Sequence, residues 1–385
     1  MTDGLKRACE FIAKNTSYVN QAIVSHTAVW KGQPVDAPPL MLNCGPTDEQ
    51  KAWLSWSNYK DIHFDSEKML ANELLGAFAA INGNSGAVPS MRANMGCGII
   101  SSLVGIEQSL FEDKMPWMLT HLKKEELKPH YNFTINASRE FAAAMQHIEY
   151  MQKFLLDQQL NNVFIYPLDL QGAIDTAHLI YGDPIFYDFY DDPEFIHRLL
   201  KVSCDAIEFA MRECFKRIHR SDEFITHYNS ILIPRSLGGL KISEDTTTLL
   251  APDTIDTFAI PCLRDILQRF NGGYVHYCGK NDHLLDRILE EPLVYAINFG
   301  NPEKHDMTAV LKRCRAKGKL YIGRVNWLKD EKRFDYYKRV LGASYNPDTD
   351  RFHVIIQSWC SLEDRTAVLD DYARAAEYVR RNPKG

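Results

Sequence analysis

From Tyr274 to the C-terminus the hydrophobic pattern switches between period two and period 3.6 in steps of about 25 to 30 residues. Strands are expected at Tyr274–Cys278, Val294–Phe299, Leu320–Val325 and His353–Ser358. The intervening helices fall at Asp282–Leu289, Met307–Ala316, around Glu331–Leu341, and at Glu363–Arg381. Such alternation builds βαβ units, whose strands lie parallel in one sheet. The steps are too short for a second domain to intervene, and no linker or low-complexity tract divides the 385 residues. A doubly wound open sheet is the rival architecture, but no Gly-rich phosphate loop follows a first strand. The expectation is an α/β chain folded as a single (β/α)8 TIM barrel with an N-terminal helical extension. Residues 1–60 would pack on the barrel and residues 61–385 would form it.

The upstream pattern fits this frame. Leu5, Ala8, Phe11 and Ile12 recur at helical spacing, and Leu40–Leu42 reads as a short strand. Helices are expected at Glu67–Ile81, Ser138–Leu160, Gly172 to Ile180, Pro193 to about His219, and Pro252–Phe270. Further strands are expected at Asn162–Leu168 and Phe224–Tyr228.

In a barrel the chemistry sits at the C-terminal ends of the strands. Those ends hold Asp169, Gln171, Asp245, His276, Cys278, Asn298, Arg324 and Asn326, with Cys360 just after the last strand. His276 and Cys278, two apart on a strand, share a face. Cys360, 82 residues beyond Cys278, comes to the same rim. One His and two Cys match a zinc set with an open fourth position, the catalytic arrangement. The alternative is that Cys360, beside Trp359, is a packed core thiol.

Asp169 and Asp245 are candidate catalytic acids or bases, partners orienting a metal-bound His, or helix caps. Arg92, before the Gly-rich run Met95-Gly96-Cys97-Gly98, either clamps an anion or pairs with a nearby Asp. Arg324 either neutralises an anionic ligand or joins a rim ion pair, and Gln171 and Asn298 complete the substrate-binding candidates.

Composition removes other classes. A net charge of -6 argues against a dedicated nucleic-acid binder. Nine scattered cysteines make no disulfide framework. No apolar run approaches the ~18 residues of a membrane span, and no apolar signal core follows the first basic residues. A cytoplasmic protein is expected.

Several stretches together resemble the uroporphyrinogen decarboxylase superfamily from about Phe64 onward: Pro89-Ser90-Met91-Arg92-Ala93-Asn94-Met95-Gly96, Asp169-Leu170-Gln171-Gly172, Gly238-Gly239-Leu240-Lys241-Ile242-Ser243-Glu244-Asp245, His276-Tyr277-Cys278-Gly279 and Asn298-Phe299-Gly300-Asn301-Pro302. That superfamily is a (β/α)8 barrel with two branches. One decarboxylates tetrapyrroles without metal, using two closely spaced N-terminal arginines; only Arg92 is comparable here. The other comprises cobalamin-dependent methyltransferases of the methylcobalamin:coenzyme M type, which hold Zn2+ through His-x-Cys and a distant Cys. The resemblance to this branch implies His276, Cys278 and Cys360 as zinc ligands. It implies methylcobalamin carried by a partner corrinoid protein, and a thiol or similar small molecule as methyl acceptor or donor. Asp169 or Asp245 would orient a ligand, and Arg92 or Arg324 would take an anionic tail. The alternatives are a metal-free decarboxylase and a non-catalytic corrinoid- or tetrapyrrole-binding barrel. No nucleic-acid or membrane partner is expected, and a homodimer is compatible with each reading.

Overall fold

The structure is a computed structural model describing residues 1–227 and 230–382. Its strands in chain order are β1 (Leu40–Cys44), β2 (Ser90–Met91), β3 (Phe164–Ile165), β4 (Phe224–His227), β5 (Ile231–Pro234), β6 (Leu240–Ser243), β7 (Gly273–Tyr277), β8 (Val294–Phe299), β9 (Leu320–Gly323), β10 (Tyr345–Asn346), β11 (Arg351–Phe352) and β12 (Val354–Cys360). Six of them form a parallel sheet in the order β1-β12-β9-β8-β7-β6. The chain is therefore α/β, with helices flanking a parallel sheet. β2 and β3 form a separate parallel pair. A parallel bridge between Gln171 and Ser243 joins the segment after β3 to β6, and Gly86 N donates to Leu40 O of β1.

The last third follows the expected rhythm, with helices Asp282–Glu290, Met307–Ala316, Arg333–Ser344 and Arg365–Arg381 between and after the strands. The sheet also takes β1, at Leu40–Cys44, where a short strand was expected over Leu40–Leu42. Phe224–Tyr228 departs from expectation. Phe224–His227 pairs antiparallel with β5 as a hairpin outside the parallel sheet, and Tyr228 lies outside the described residues. The sheet strand of that region is β6, which follows Gly238 and Gly239, both at positive φ. The Pro252–Phe270 tract is broken: a π turn, Ile255–Ala259, precedes helix Ile260–Phe270. Pro261 lacks the N–H that would continue the regular ladder.

Strand alternation divides the core. Tyr274, Ala296, Leu320, Ile322, Ile355 and Met41 pack together with Ile231 and Ile233 on one face of the sheet. Their neighbours Val275, Ile297, Tyr321, Ile356 and Leu42 face the helices in the larger core. Each fully buried side chain of this size contributes about 2 kcal/mol of burial. His276 continues the Tyr274 face toward the strand ends.

Candidate metal centre

Asp245, His276 and Cys278 bring one ligand atom each within 4.8 Å of one another. β7 supplies His276, and Cys278 follows as the chain leaves the sheet. Gly279, at φ 95°, turns it away in a conformation that suits glycine. Asp245 follows β6, the neighbouring strand, in which Ser243 is the register partner of His276. Asp245 Oδ1 accepts the Cys278 N–H at 2.5 Å, and buried Asp175 accepts the N–H groups of Asp245 and Thr246. The loop carrying Asp245 is thus held at both ends.

Three observations test whether these residues fit a zinc ion. His276 Nε2 lies 3.7 Å from Cys278 Sγ and 3.9 Å from Asp245 Oδ1. Donors on one tetrahedral zinc, at ~2.1 Å for N or O and ~2.3 Å for S, stand roughly 3.4–3.6 Å apart, so a small contraction suffices. Second, His276 Nδ1 meets Asn298 Oδ1 at 2.5 Å, while Asn298 Nδ2 donates to Ile322 O. The amide is thereby oriented with its oxygen toward the ring, so Nδ1 carries the proton and the Nε2 lone pair faces Cys278 and Asp245. Third, a Cβ on Gly300 would overlap Cys278 Sγ and stand 3.4 Å from His276 Cε1. Glycine there leaves the space the donor set occupies. The residues fit.

Burial, joined by the charge of Lys241, pushes the His276 imidazole down to about 4, so it is neutral and able to ligate. Burial and the Asp245 carboxylate push the Cys278 thiol up to about 11. A cation would therefore have to displace its proton.

Two cavities meet at His276 and Lys241. The larger, about 730 Å³, is lined by Arg92, Asp169, Gln171 and Asp245, with Trp117 and Met118. Arg92 is committed: its guanidinium pairs with Asp169, both side chains being largely buried, and its N–H donates to Glu73 at 3.0 Å. Burial drives the Glu73 carboxyl up to about 7 against the pull of that charge. The smaller cavity, about 370 Å³, is lined by His276, Asn298, Gly300, Lys241, Arg324, Gln357 and Trp359. Lys241 Nζ donates to Ser243 Oγ at 2.5 Å and Arg324 reaches Gly300 O at 3.4 Å. Among the described residues neither pairs with a carboxylate. A cavity with two such cations and no acid in its lining suits a small anion. Asn326 lines neither cavity.

Cys360 lies elsewhere. β12 keeps its pleat to the end, so Gln357 and Trp359 face the smaller cavity while Cys360 turns to the helix side and packs against the larger core. Its sulfur lies 3.5 Å from that of Cys44, its register partner on β1. The structure therefore gathers Arg92, Asp169, Gln171, Asp245 and His276 around one cavity, and His276, Asn298 and Arg324 around the other. Asp245 as a donor to the metal group, Lys241 and Cys44 were not anticipated. Lys241 stood in the sequence only as part of the stretch from Gly238 to Asp245 that carries the resemblance.

Comparison with known proteins returns a likeness of fold. No family model matches the chain, and no curated protein matches it. Among solved structures it is similar to a methyltransferase from Methanosarcina mazei, with a TM-score of 0.61 at 12% identity over 92% of this chain and 98% of that one.

Proposed function

We propose that this chain is a zinc-dependent methyltransferase that moves a methyl group between methylcobalamin, carried on a partner corrinoid protein, and a small anionic thiol. The observation carrying this reading is the Asp245–His276–Cys278 donor group, with its imidazole oriented by Asn298, at the junction of two cavities. The same reading takes β1, β2, β3, β6, β7, β8, β9 and β12 as the eight strands of a closed (β/α)8 barrel. The Gly86–Leu40 bond and the Gln171–Ser243 bridge, at the two gaps between the sheet and the β2–β3 pair, support it. The similarity in fold to a methyltransferase is consistent with it.

When bound, zinc supplies a Lewis acid that holds a substrate thiol as thiolate at neutral pH. His276 and Cys278 bind it, Asp245 stands beside them, and Cys360 is the further thiolate that the sequence resemblance names. Asn298 fixes the imidazole. Lys241 and Arg324 receive the anionic tail of the acceptor, which points its sulfur toward the donor group. The Arg92–Asp169 pair shapes the wall of the larger cavity, through which the methyl group arrives.

Metal content of the purified protein tests the reading. About one zinc per chain is expected, lost in the Cys278→Ser variant. Asp245→Asn and Cys360→Ser, compared side by side, decide which residue holds the third position. Methylcobalamin with a panel of anionic and neutral thiols then reads transfer directly. A wild-type chain without zinc, or with zinc but no methylation of any thiol, would sink the proposal.

A further inference from the structure

The pairing of β1 with β12 sets Cys44 and Cys360 opposite each other at the last rung of two parallel strands. Their sulfurs stand 3.5 Å apart, and both are free thiols. Cys44 is wholly buried and Cys360 partly exposed. Neighbouring strands run about 4.8 Å apart. That lies inside the ~4.4–6.8 Å Cα separation that disulfides span. The two residues are 316 positions apart in sequence, so their juxtaposition belongs to the sheet itself.

We propose that Cys44 and Cys360 are a redox couple, which a small-molecule disulfide oxidises to an intramolecular disulfide that withholds Cys360 from the metal. The withholding rests on the function proposed above; the couple itself does not. Cys360, the exposed partner, loses its proton to solvent and attacks one sulfur of the small disulfide. That S–S bond breaks, a mixed disulfide forms on Cys360, and one small thiolate leaves and takes up a proton. Cys44, giving up its own proton, then attacks Cys360 Sγ and expels the second small thiol. Two protein thiols are oxidised and one disulfide is reduced to two thiols. Because the pair is formed by strand register, the two sulfurs stay side by side for as long as the sheet holds, and the disulfide closes between them. It holds Cys360 on the helix side of β12, away from His276 and Cys278.

The test uses the full reduced chain, incubated with 2-hydroxyethyl disulfide, alkylated, and digested with trypsin without reduction. The expected product joins peptide Gly32–Lys51 to peptide Phe352–Arg365, each containing a single cysteine. Finding Cys44 and Cys360 separately alkylated, or Cys360 joined to another cysteine, overturns the couple. Zinc content before and after oxidation reads the consequence. Oxidised wild type, with Cys278 still open to alkylation, is expected to retain at least tenfold less zinc and to regain it on reduction with dithiothreitol. A linked pair with zinc retained overturns the withholding. A reduced wild type that binds no zinc sinks the function proposed above and leaves the peptide test intact.

Discussion

Asn298 presents its side-chain oxygen to His276 Nδ1 at 2.5 Å while its amide nitrogen is spent on the carbonyl of Ile322. One residue on β8 thus ties the candidate ligand on β7 to the backbone of β9. Replacing Asn298 with Ala frees the imidazole to rotate and to exchange tautomers. Partners of this kind are worth about 10–100-fold in metal affinity. Asn298→Ala is expected to weaken zinc binding by that factor in competition with a chromogenic chelator, with an unchanged far-UV spectrum. Unchanged affinity would show that the ring is held by packing instead.

Gly300 makes a steric prediction. A methyl group there meets Cys278 Sγ and the His276 ring. Gly300→Ala should therefore lose zinc almost completely while the chain still folds, because the overlap falls on side chains at the strand ends rather than in the core. Metal analysis beside a denaturant titration separates loss of the site from loss of the fold.

The strand rhythm of the last third was legible because β7, β8, β9 and β12 bury both faces and read as short apolar runs between amphipathic helices. β6 was not, since it is four residues long and Lys241 interrupts it. The β4–β5 hairpin was half read, because its apolar pattern says nothing about the direction of pairing. Of the donor group, His276 and Cys278 could be read from period-two spacing. Asp245 could be placed only at a strand end, since its contact with Cys278 depends on the register of β6 against β7. The case of Cys360 is instructive. Its position along the chain puts it at the rim, but the alternation through Gln357 and Trp359 puts it on the opposite face, beside a cysteine that no local pattern connects to it.

Two arginines should respond differently to removal. The Arg92 guanidinium pairs with Asp169 while its backbone N–H donates to Glu73, so Arg92→Ala keeps the second bond and leaves the largely buried Asp169 carboxylate without its guanidinium. A loss of about 2–3 kcal/mol is expected, below the full cost of a wholly buried pair because both groups keep some exposure. Arg324 faces the smaller cavity and makes one long bond to Gly300 O. Arg324→Ala should leave the urea midpoint within error. It should raise KM for an anionic thiol about tenfold, the effect of losing a charge-assisted contact, and leave KM for a neutral thiol nearly unchanged. A fall in stability for Arg324→Ala, or equal effects on both thiols, would remove it from substrate binding.

His26 offers a pH test away from the site. Its Nε2 bonds to Gly86 O at 2.8 Å, and burial pushes its pKa down to about 4. In the unfolded chain the ring titrates near 6.5. Between these values the unfolded state binds the extra proton, so stability is full above about pH 6.5 and falls as the pH drops toward 4. The single group costs about 2 kcal/mol by pH 5 and about 3 kcal/mol by pH 4. Glu73 and Asp175, both raised to about 7 by burial, work in the opposite sense, since the folded chain holds their protons longer and loses that stabilisation as the pH rises through 7. The wild-type profile therefore mixes both signs, and the difference between wild type and His26→Gln isolates the histidine. Urea unfolding of the two proteins at pH 7.5 and pH 5 is expected to show the gap between them narrowing, or reversing, by about 2 kcal/mol at the lower pH. A gap that stays constant would mean that His26 takes up its proton in the folded chain as readily as in the unfolded one.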